Sequence, residues 1–230
     1  MRPTHIEIDT AIIRENLRRI KDSLPEWSTS TAVIKANGYG HGSVMVGRIA
    51  VEEGYESLAV AFPEEALPLR AAGIMVPIYL LGITLPQSFD LIVEGNSRPA
   101  ICESTDLAAL EACAARHDTI IECCIAVDTG MHRIGIHPDH ALDFMQKVEA
   151  YPHLRVDWVL FSYGQCRCGR QNQCAPTNGF VPQHGGNDSC PSLRTVSVFP
   201  WLTVPAYCRL KIVYLPMHGR ASFSMALCHP

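Results

Sequence analysis

Short apolar runs alternate with helical patterns along most of this chain. Each run has the length and the branched side chains that are typical of strands buried on both faces of a sheet. The predicted strands are residues 32–34, 58–62, 77–81, 99–102, 120–127 and 154–161. The predicted helices are one that begins at Ser43 and four at 63–72, 86–94, 104–117 and 138–151. Strands that alternate with helices over short loops form right-handed βαβ units, so we expect an α/β fold with a parallel sheet.

Six strands of this type are fewer than the eight that close a (β/α)8 barrel. We therefore predict an incomplete (β/α)8, or TIM-type, barrel of about six βα units followed by an irregular C-terminal tail. Ahead of the first unit, residues 4–9 alternate like a half-exposed strand. Residues 10–23 then have the apolar period of an amphipathic helix.

The composition is that of a globular protein with a mild negative charge. The chain has 230 residues, of which 47% are hydrophobic, and a formal net charge of −4, with no basic stripe that would favour nucleic acid. We find neither a secretory leader nor an apolar run long enough to cross a bilayer. We expect a cytoplasmic protein without a nucleic-acid or membrane partner.

The composition changes abruptly after Ser162. Residues 1–162 contain 13 Lys and Arg against 22 Asp and Glu, whereas residues 163–230 contain six against Asp188 alone, together with six of the ten cysteines. We interpret residues 1–162 as the barrel portion and residues 163–230 as an atypical, poorly ordered tail rich in cysteine and proline. The tail cysteines lack the paired C-x2-C spacing of zinc sites, so we predict no metal site.

One lysine ends the first predicted strand and precedes a glycine-rich loop. Lys35 follows the buried run Ala32–Ile34, at the C-terminal end of a parallel strand, where such sheets carry their chemistry. Three glycines between residues 38 and 42 allow a sharp turn, and Ser43 can cap the next helix, whose start is a candidate anion site. A desolvated lysine amine can attack an aldehyde. The alternative is a structural lysine whose stem covers apolar surface beside an ordinary turn.

Two segments resemble a known family. Residues 32–42, AVIKANGYGHG, resemble the pyridoxal-phosphate signature AVxKANAYGHG of the alanine racemases, with Gly38 in place of the usual alanine. Residues 127–135, VDTGMHRIG, are similar to the VDTGMxRLG segment of the same family. The resemblance implies a homodimeric TIM-barrel isomerase that converts L-alanine to D-alanine for peptidoglycan precursors.

The same match implies roles for three residues. Lys35 would bind pyridoxal 5′-phosphate as a Schiff base and act as the base on one face of the adduct. Tyr39 would donate its hydroxyl to the cofactor phosphate. Arg133 would lie near the phenolic oxygen of the cofactor and the substrate carboxylate, where a planar guanidinium can form two hydrogen bonds at once. In the structural alternatives, Tyr39 covers the barrel opening and Arg133 is a turn residue paired with an acid.

Some family features are replaced or missing. Ala126 stands where many racemases have a carbamylated lysine that orients the arginine, and Tyr163 stands where a histidine stacks on the cofactor ring. The second base of the family is a tyrosine on a β-domain of the partner subunit, and this sequence contains no such domain. We therefore expect an alanine racemase by ancestry that is truncated, binds its cofactor weakly, has little or no turnover and lacks an intact dimer surface.

The resemblance also suggests an origin for the unusual sequence of residues 163–230. We take one possible nucleotide sequence that encodes the start of the tail and restore two bases before codon 163. In the shifted reading frame, it translates into a peptide that begins HMANAD, which is the type of continuation that the racemases have after this strand. We interpret residues 163–230 as an out-of-frame extension. Three alternatives stay open, namely a serine racemase of the same barrel type, a non-catalytic pyridoxal-phosphate carrier, and a metal- or partner-binding protein that acts through its tail.

Overall fold

The computed structural model of the chain describes residues 6–24 and 29–163, and the backbone of two short strands between residues 194 and 216. Side chains are described for residues 6–24 and 29–161. Apart from those two strands, the predicted tail, its cysteines and its out-of-frame interpretation lie outside the described residues.

Six parallel strands pair side by side in the order in which they occur in the chain. They are β1 (Thr31–Val33), β2 (Ser57–Val60), β3 (Ile78–Ile83), β4 (Ser97–Ile101), β5 (Ile121–Thr129) and β6 (Leu154–Tyr163). The prediction of about six parallel strands that alternate with helices is confirmed. Their runs of apolar and branched side chains are buried on both faces, which is why the sequence pattern is continuous rather than alternating.

One helix precedes the first strand, and the others lie between consecutive strands. In chain order they are α1 (Thr10–Asp22), α2 (Ser43–Glu52), α3 (Ala66–Ala71), α4 (Phe89–Glu94), α5 (Leu107–Arg116) and α6 (Ala141–Glu149). Prolines at 63, 86 and 138 open short 3₁₀ turns that lead into α3, α4 and α6, because proline has no N–H to satisfy and fits a first turn. Within the described ranges, no helix combines the length and the apolarity that crossing a bilayer requires.

The N-terminal segment differs from the prediction. Residues 6–9 are not in a strand, so the strand predicted for residues 4–9 is wrong over this part. A segment with an alternating pattern forms a strand only if a neighbouring strand completes its backbone hydrogen bonds. In this chain the sheet begins at β1. Asp9 instead caps α1, and its carboxylate accepts hydrogen bonds from the amides of Ala11 and Ile12 at 2.8 and 3.2 Å.

Two short strands in the tail extend the sheet beyond the six predicted strands. β7 (Arg194–Val198) pairs parallel with β6, and β8 (Ile212–Pro216) pairs antiparallel with β7. β8 approaches β1, but the hydrogen-bonded order runs from β1 to β8 without closing. The antiparallel β8 departs from a (β/α)8 barrel, in which all strands are parallel.

Alternate residues of each strand serve two different cores. In β2, Leu58 and Val60 pack outward against the helices, whereas Ala59 faces the interior of the curved sheet. Val33 of β1 and Leu160 of β6 belong to the same interior cluster, so the sheet curves enough to bring its strands together. The interior cluster consists of Val33, Ala59, Tyr79, Ala100, Cys124, Ala126, Trp158 and Leu160. This arrangement leaves the carboxyl ends of all six strands at one edge.

The outer core should dominate the stability of the fold. Leu58 is fully buried between the sheet and the helices, so Leu58→Ala should lower the free energy of unfolding by about 2–5 kcal/mol. The control is Leu85→Ala, because Leu85 is 57% exposed and its truncation should change stability by less than about 0.5 kcal/mol. Urea unfolding followed by circular dichroism measures both. Equal losses in the two variants would contradict the burial of Leu58 in the outer core.

Candidate active site

The backbone becomes left-handed immediately after Lys35, at the carboxyl end of β1. Five consecutive residues have positive φ angles, namely Ala36 (51°), Asn37 (53°), Gly38 (63°), Tyr39 (54°) and Gly40 (87°). Most L-residues in this region cost roughly 1–2 kcal/mol, whereas glycine avoids that cost and asparagine or aspartate reduces it. The predicted sharp turn is present, but three of its five left-handed residues are not glycine.

Backbone hydrogen bonds hold this left-handed turn in place. The Gly38 amide donates to the Ile34 carbonyl, and the Gly42 amide donates to the Asn37 carbonyl, both at 2.8 Å. A Cβ on Gly38 would lie 3.2 Å from the backbone nitrogen of Ser43, so the turn packs directly against the start of α2. Lys35 is therefore followed by a rigid segment rather than by a loose loop.

The side chain of Asn37 caps α2. Its Oδ1 accepts a hydrogen bond from the Ser43 amide at 3.0 Å, and Ser43 is the first helical residue after Gly42. The prediction that Ser43 caps the helix is wrong, because an asparagine six residues earlier supplies the acceptor. The amide of Ser43 is thereby occupied, so the predicted anion site at this helix start has one donor fewer.

The Lys35 side chain is partly buried at this edge. Within residues 6–24 and 29–161, its amine makes neither a hydrogen bond nor an ion pair. Tyr39 lies in the same turn and is 49% exposed. The structure thus brings the predicted cofactor residues Lys35 and Tyr39 together at the carboxyl edge of β1.

Arg133 lies on the loop after β5, at the same edge of the sheet but four strands further along. The Asp128 carboxylate shapes this loop, since it accepts hydrogen bonds from the amides of Gly130 at 3.0 Å and His132 at 2.9 Å. Its second oxygen lies 3.0 Å from Nδ1 of His132. A Cβ on Gly135 would lie 2.6 Å from the Asp128 nitrogen, so the loop returns closely along β5 and only glycine fits there.

These hydrogen bonds change the titration of Asp128. Partial burial opposes ionisation, but the bonds from the His132 and Gly130 amides and from the His132 ring outweigh it and lower the pKa of Asp128. Arg133 itself is exposed, and no acid among the described side chains pairs with it. Its guanidinium is therefore available to an anionic ligand at the carboxyl edge.

Comparison with known proteins decides the family. The family profile described as alanine racemase, N-terminal domain, matches residues 8–178. This chain belongs to the alanine racemase family. The alanine racemase of Halothermothrix orenii is 36% identical over 159 residues, which are 69% of this chain and 42% of that protein. The chain thus spans about two fifths of the length of this relative.

Solved structures of amino-acid racemases share the fold. The alanine racemase from Bacillus anthracis with bound L-Ala-P is 34% identical, with a TM-score of 0.64 over 71% of this chain and 42% of that chain. The histidine racemase from Leuconostoc mesenteroides subsp. sake is 27% identical, with a TM-score of 0.62 over 68% of this chain and 42% of that chain. The predicted resemblance to the racemase barrel is confirmed for the portion that these structures cover.

Two departures from the racemase pattern have defined places in the structure. Ala126, at the position of the carbamylated lysine of many racemases, is buried in the interior cluster, so this position supplies no anion to Arg133. Tyr163, at the position of the family histidine, ends β6 and is in register with Thr129 of β5. It therefore lies at the same edge as Lys35.

Possible metal ligands occur together only away from this edge, within the described part of the chain. Asp90, Cys113 and His117 have ligand atoms within 4.8 Å of one another on α4, α5 and the residue after α5. The Arg116 guanidinium bonds to Asp90 and lies 3.6 Å from Sγ of Cys113. Hydrogen bonds from His117 and Arg116 lower the pKa of Asp90 to about 2. The Arg116 cation thus already pairs with this group of side chains.

The Asn37 side chain should contribute measurably to the stability of the turn. Asn37→Ala removes the cap of α2 and places alanine in the left-handed region, so it should destabilise the chain by about 1–2 kcal/mol. Asn37→Asp keeps both the acceptor and the tolerance of positive φ, and should change stability by less than about 0.5 kcal/mol. Urea unfolding of both variants tests this. A loss of similar size in the aspartate variant would refute the capping role.

Asp128 should make the chain sensitive to acid. Its folded pKa lies below its ordinary value of 3.8, so its stabilising contribution is complete above that value and is lost as the pH falls through the lower folded pKa. The thermal midpoint of the wild type should therefore fall more steeply below about pH 4 than that of Asp128→Asn. Asp143→Asn, which removes an exposed carboxylate, should keep the steep wild-type profile. Parallel profiles for the wild type and Asp128→Asn would disprove the assignment.

Proposed function

We propose that this chain carries the pyridoxal 5′-phosphate-binding part of an alanine racemase, an isomerase that interconverts L- and D-alanine. The observation that supports this best is the position of Lys35. This partly buried residue lies at the carboxyl end of a parallel strand and precedes a strained turn, and its amine has no partner among the described side chains. Backbone strain of this kind clusters at active sites, where the surrounding structure maintains it.

The residues present at this edge fit the cofactor. The Lys35 amine suits an aldehyde, and the Arg133 guanidinium suits a phenolic oxygen or a carboxylate. The Tyr39 hydroxyl can donate to a phosphate, and a Cβ on Gly40 would meet no atom within 4 Å, so the turn leaves room for a ligand beside the backbone. The cofactor would thus be held by Lys35 and Tyr39 on one loop and by Arg133 on another.

The proposed chemistry divides between the cofactor and the protein. Pyridoxal 5′-phosphate, when bound, supplies a conjugated ring that takes up the negative charge left when the α-proton of an amino acid is removed. The Lys35 amine would accept that proton on one face of the substrate and return it. Arg133 would orient the substrate carboxylate, so that the α-hydrogen points toward Lys35. Asp128 would keep the loop of Arg133 in the required shape.

Racemisation also needs an acid or base on the opposite face of the substrate. The resemblance assigns that role to a tyrosine on a β-domain, and this chain spans about two fifths of the length of its relative. We infer that the 230-residue chain on its own binds the cofactor weakly and turns alanine over slowly or not at all.

One comparison supports a wider choice of substrate. The histidine racemase matches this chain with a TM-score of 0.62, close to the 0.64 of the alanine racemase from Bacillus anthracis. The barrel portion shared by both therefore does not decide which side chain the substrate carries. L-Serine and L-histidine belong beside L-alanine in any assay.

The cofactor assignment can be tested on the full chain. After incubation with pyridoxal 5′-phosphate and reduction with borohydride, peptide mass spectrometry should find the pyridoxyl group on Lys35. Lys35→Ala should lose this label and, where racemase turnover is measurable, lower it by at least about 100-fold, as expected for a missing general base.

The control is Lys147→Ala, because Lys147 is an exposed lysine of α6. This variant should keep the label on Lys35. A label spread over surface lysines, or one that persists in Lys35→Ala at the wild-type level, would overturn the assignment. Strong binding without turnover on any of the three amino acids would favour the carrier alternative.

A further inference from the structure

An acidic residue from another segment of the chain binds the turn that follows Lys35. Glu65 ends the 3₁₀ turn after β2, and its Oε1 accepts a hydrogen bond from the Ala36 amide at 2.6 Å. Its Oε2 accepts hydrogen bonds from the amides of Ala61 at 2.7 Å and Phe62 at 3.4 Å. One carboxylate therefore joins the backbone segments that follow β1 and β2.

The amide that Glu65 binds has a special position. It belongs to the peptide bond between Lys35 and Ala36, and Ala36 is the first left-handed residue of the turn, with a φ of 51°. The orientation of this peptide plane sets the direction in which the Lys35 side chain leaves the backbone. Hydrogen bonds to a charged acceptor are stronger than neutral ones, so a carboxylate is a suitable group to fix a strained peptide plane.

The neighbouring acid does not share this role. Oε1 of Glu64 lies 3.3 Å from the Ser88 hydroxyl, on the side of the segment that leads to α4. Glu65, by contrast, bonds to the turn through the Ala36 amide, and its two oxygens together accept hydrogen bonds from three backbone amides. An amide side chain at this position would turn an NH₂ group toward at least one backbone N–H.

We propose that Glu65 is a positioning residue for Lys35, which it directs into the cofactor site by fixing the peptide plane between Lys35 and Ala36. This inference rests on the proposed function, because it concerns the capture of pyridoxal 5′-phosphate by Lys35. It adds a residue that lies outside both sequence motifs and that acts through the backbone without touching the reacting atoms.

The chain contains a matched control at the opposite end of β1. Glu56 accepts hydrogen bonds from the amide of Ser30 at 2.6 Å and from its hydroxyl at 2.7 Å. Glu56→Gln and Glu65→Gln therefore each remove the charge of a carboxylate that holds an end of the same strand. Only Glu65 is next to Lys35.

The experiment compares these two variants as full chains, both with and without pyridoxal 5′-phosphate. The rate at which borohydride-fixed label appears on Lys35 should fall about ten-fold in Glu65→Gln, the effect of losing one charge-assisted hydrogen bond, and stay within two-fold in Glu56→Gln. In the absence of the cofactor, hydrogen exchange of residues 35–43 should accelerate about ten-fold in Glu65→Gln only. Urea unfolding of both variants corrects for any general loss of stability.

The possible failures are distinguishable. A wild-type chain that forms no label on Lys35 overturns the proposed function and the positioning role with it. A wild type that is labelled, with label and exchange unchanged in Glu65→Gln, overturns the positioning role alone. Equal losses in Glu65→Gln and Glu56→Gln, in proportion to their loss of stability, mean that Glu65 only holds the fold and likewise refute the proposal.

Discussion

The strained backbone between Lys35 and Gly40 is the constraint on which the candidate site depends. Residues with side chains adopt left-handed angles there, and each such residue raises the energy of the folded chain. The turn persists because neighbours on three sides hold it, namely the end of β1, the Asn37 side chain at the start of α2, and the Glu65 carboxylate after β2. Local strain is thus balanced by contacts that only the folded barrel portion provides.

Much of the scaffold is readable from the sequence, because each parallel strand is a short apolar run and each helix has a recognisable start. The strand predicted at the N-terminus was wrong over residues 6–9, since an alternating pattern says nothing about whether a partner strand is available. The site was predicted less completely. Glycine and asparagine are compatible with positive φ angles, but Ala36 and Tyr39 give no such signal, so the extent of the left-handed turn was not foreseeable.

The contributions of Asn37 and Glu65 were missed for a related reason. Both side chains accept hydrogen bonds from backbone amides. Which amide donates is decided by the fold and not by the local sequence pattern. Ser43 resembles a helix cap because serine is a frequent one, but it is the first helical residue, and its amide donates to the Asn37 side chain. By contrast, the loop of Arg133 follows from its own sequence, in which Asp128 bonds to residues two and four positions later.

The bond between Glu65 and the Ala36 amide spans 29 residues of sequence. A ribosome delivers the chain from the N-terminus at about 5–20 residues per second, so Lys35 emerges well before the carboxylate that completes its surroundings. The first strand and helix can form early, but the peptide plane beside the lysine gains its last partner only when the second strand and the turn after it have been made. The geometry around Lys35 is therefore determined by two successive structural units, acquired during biosynthesis in that order.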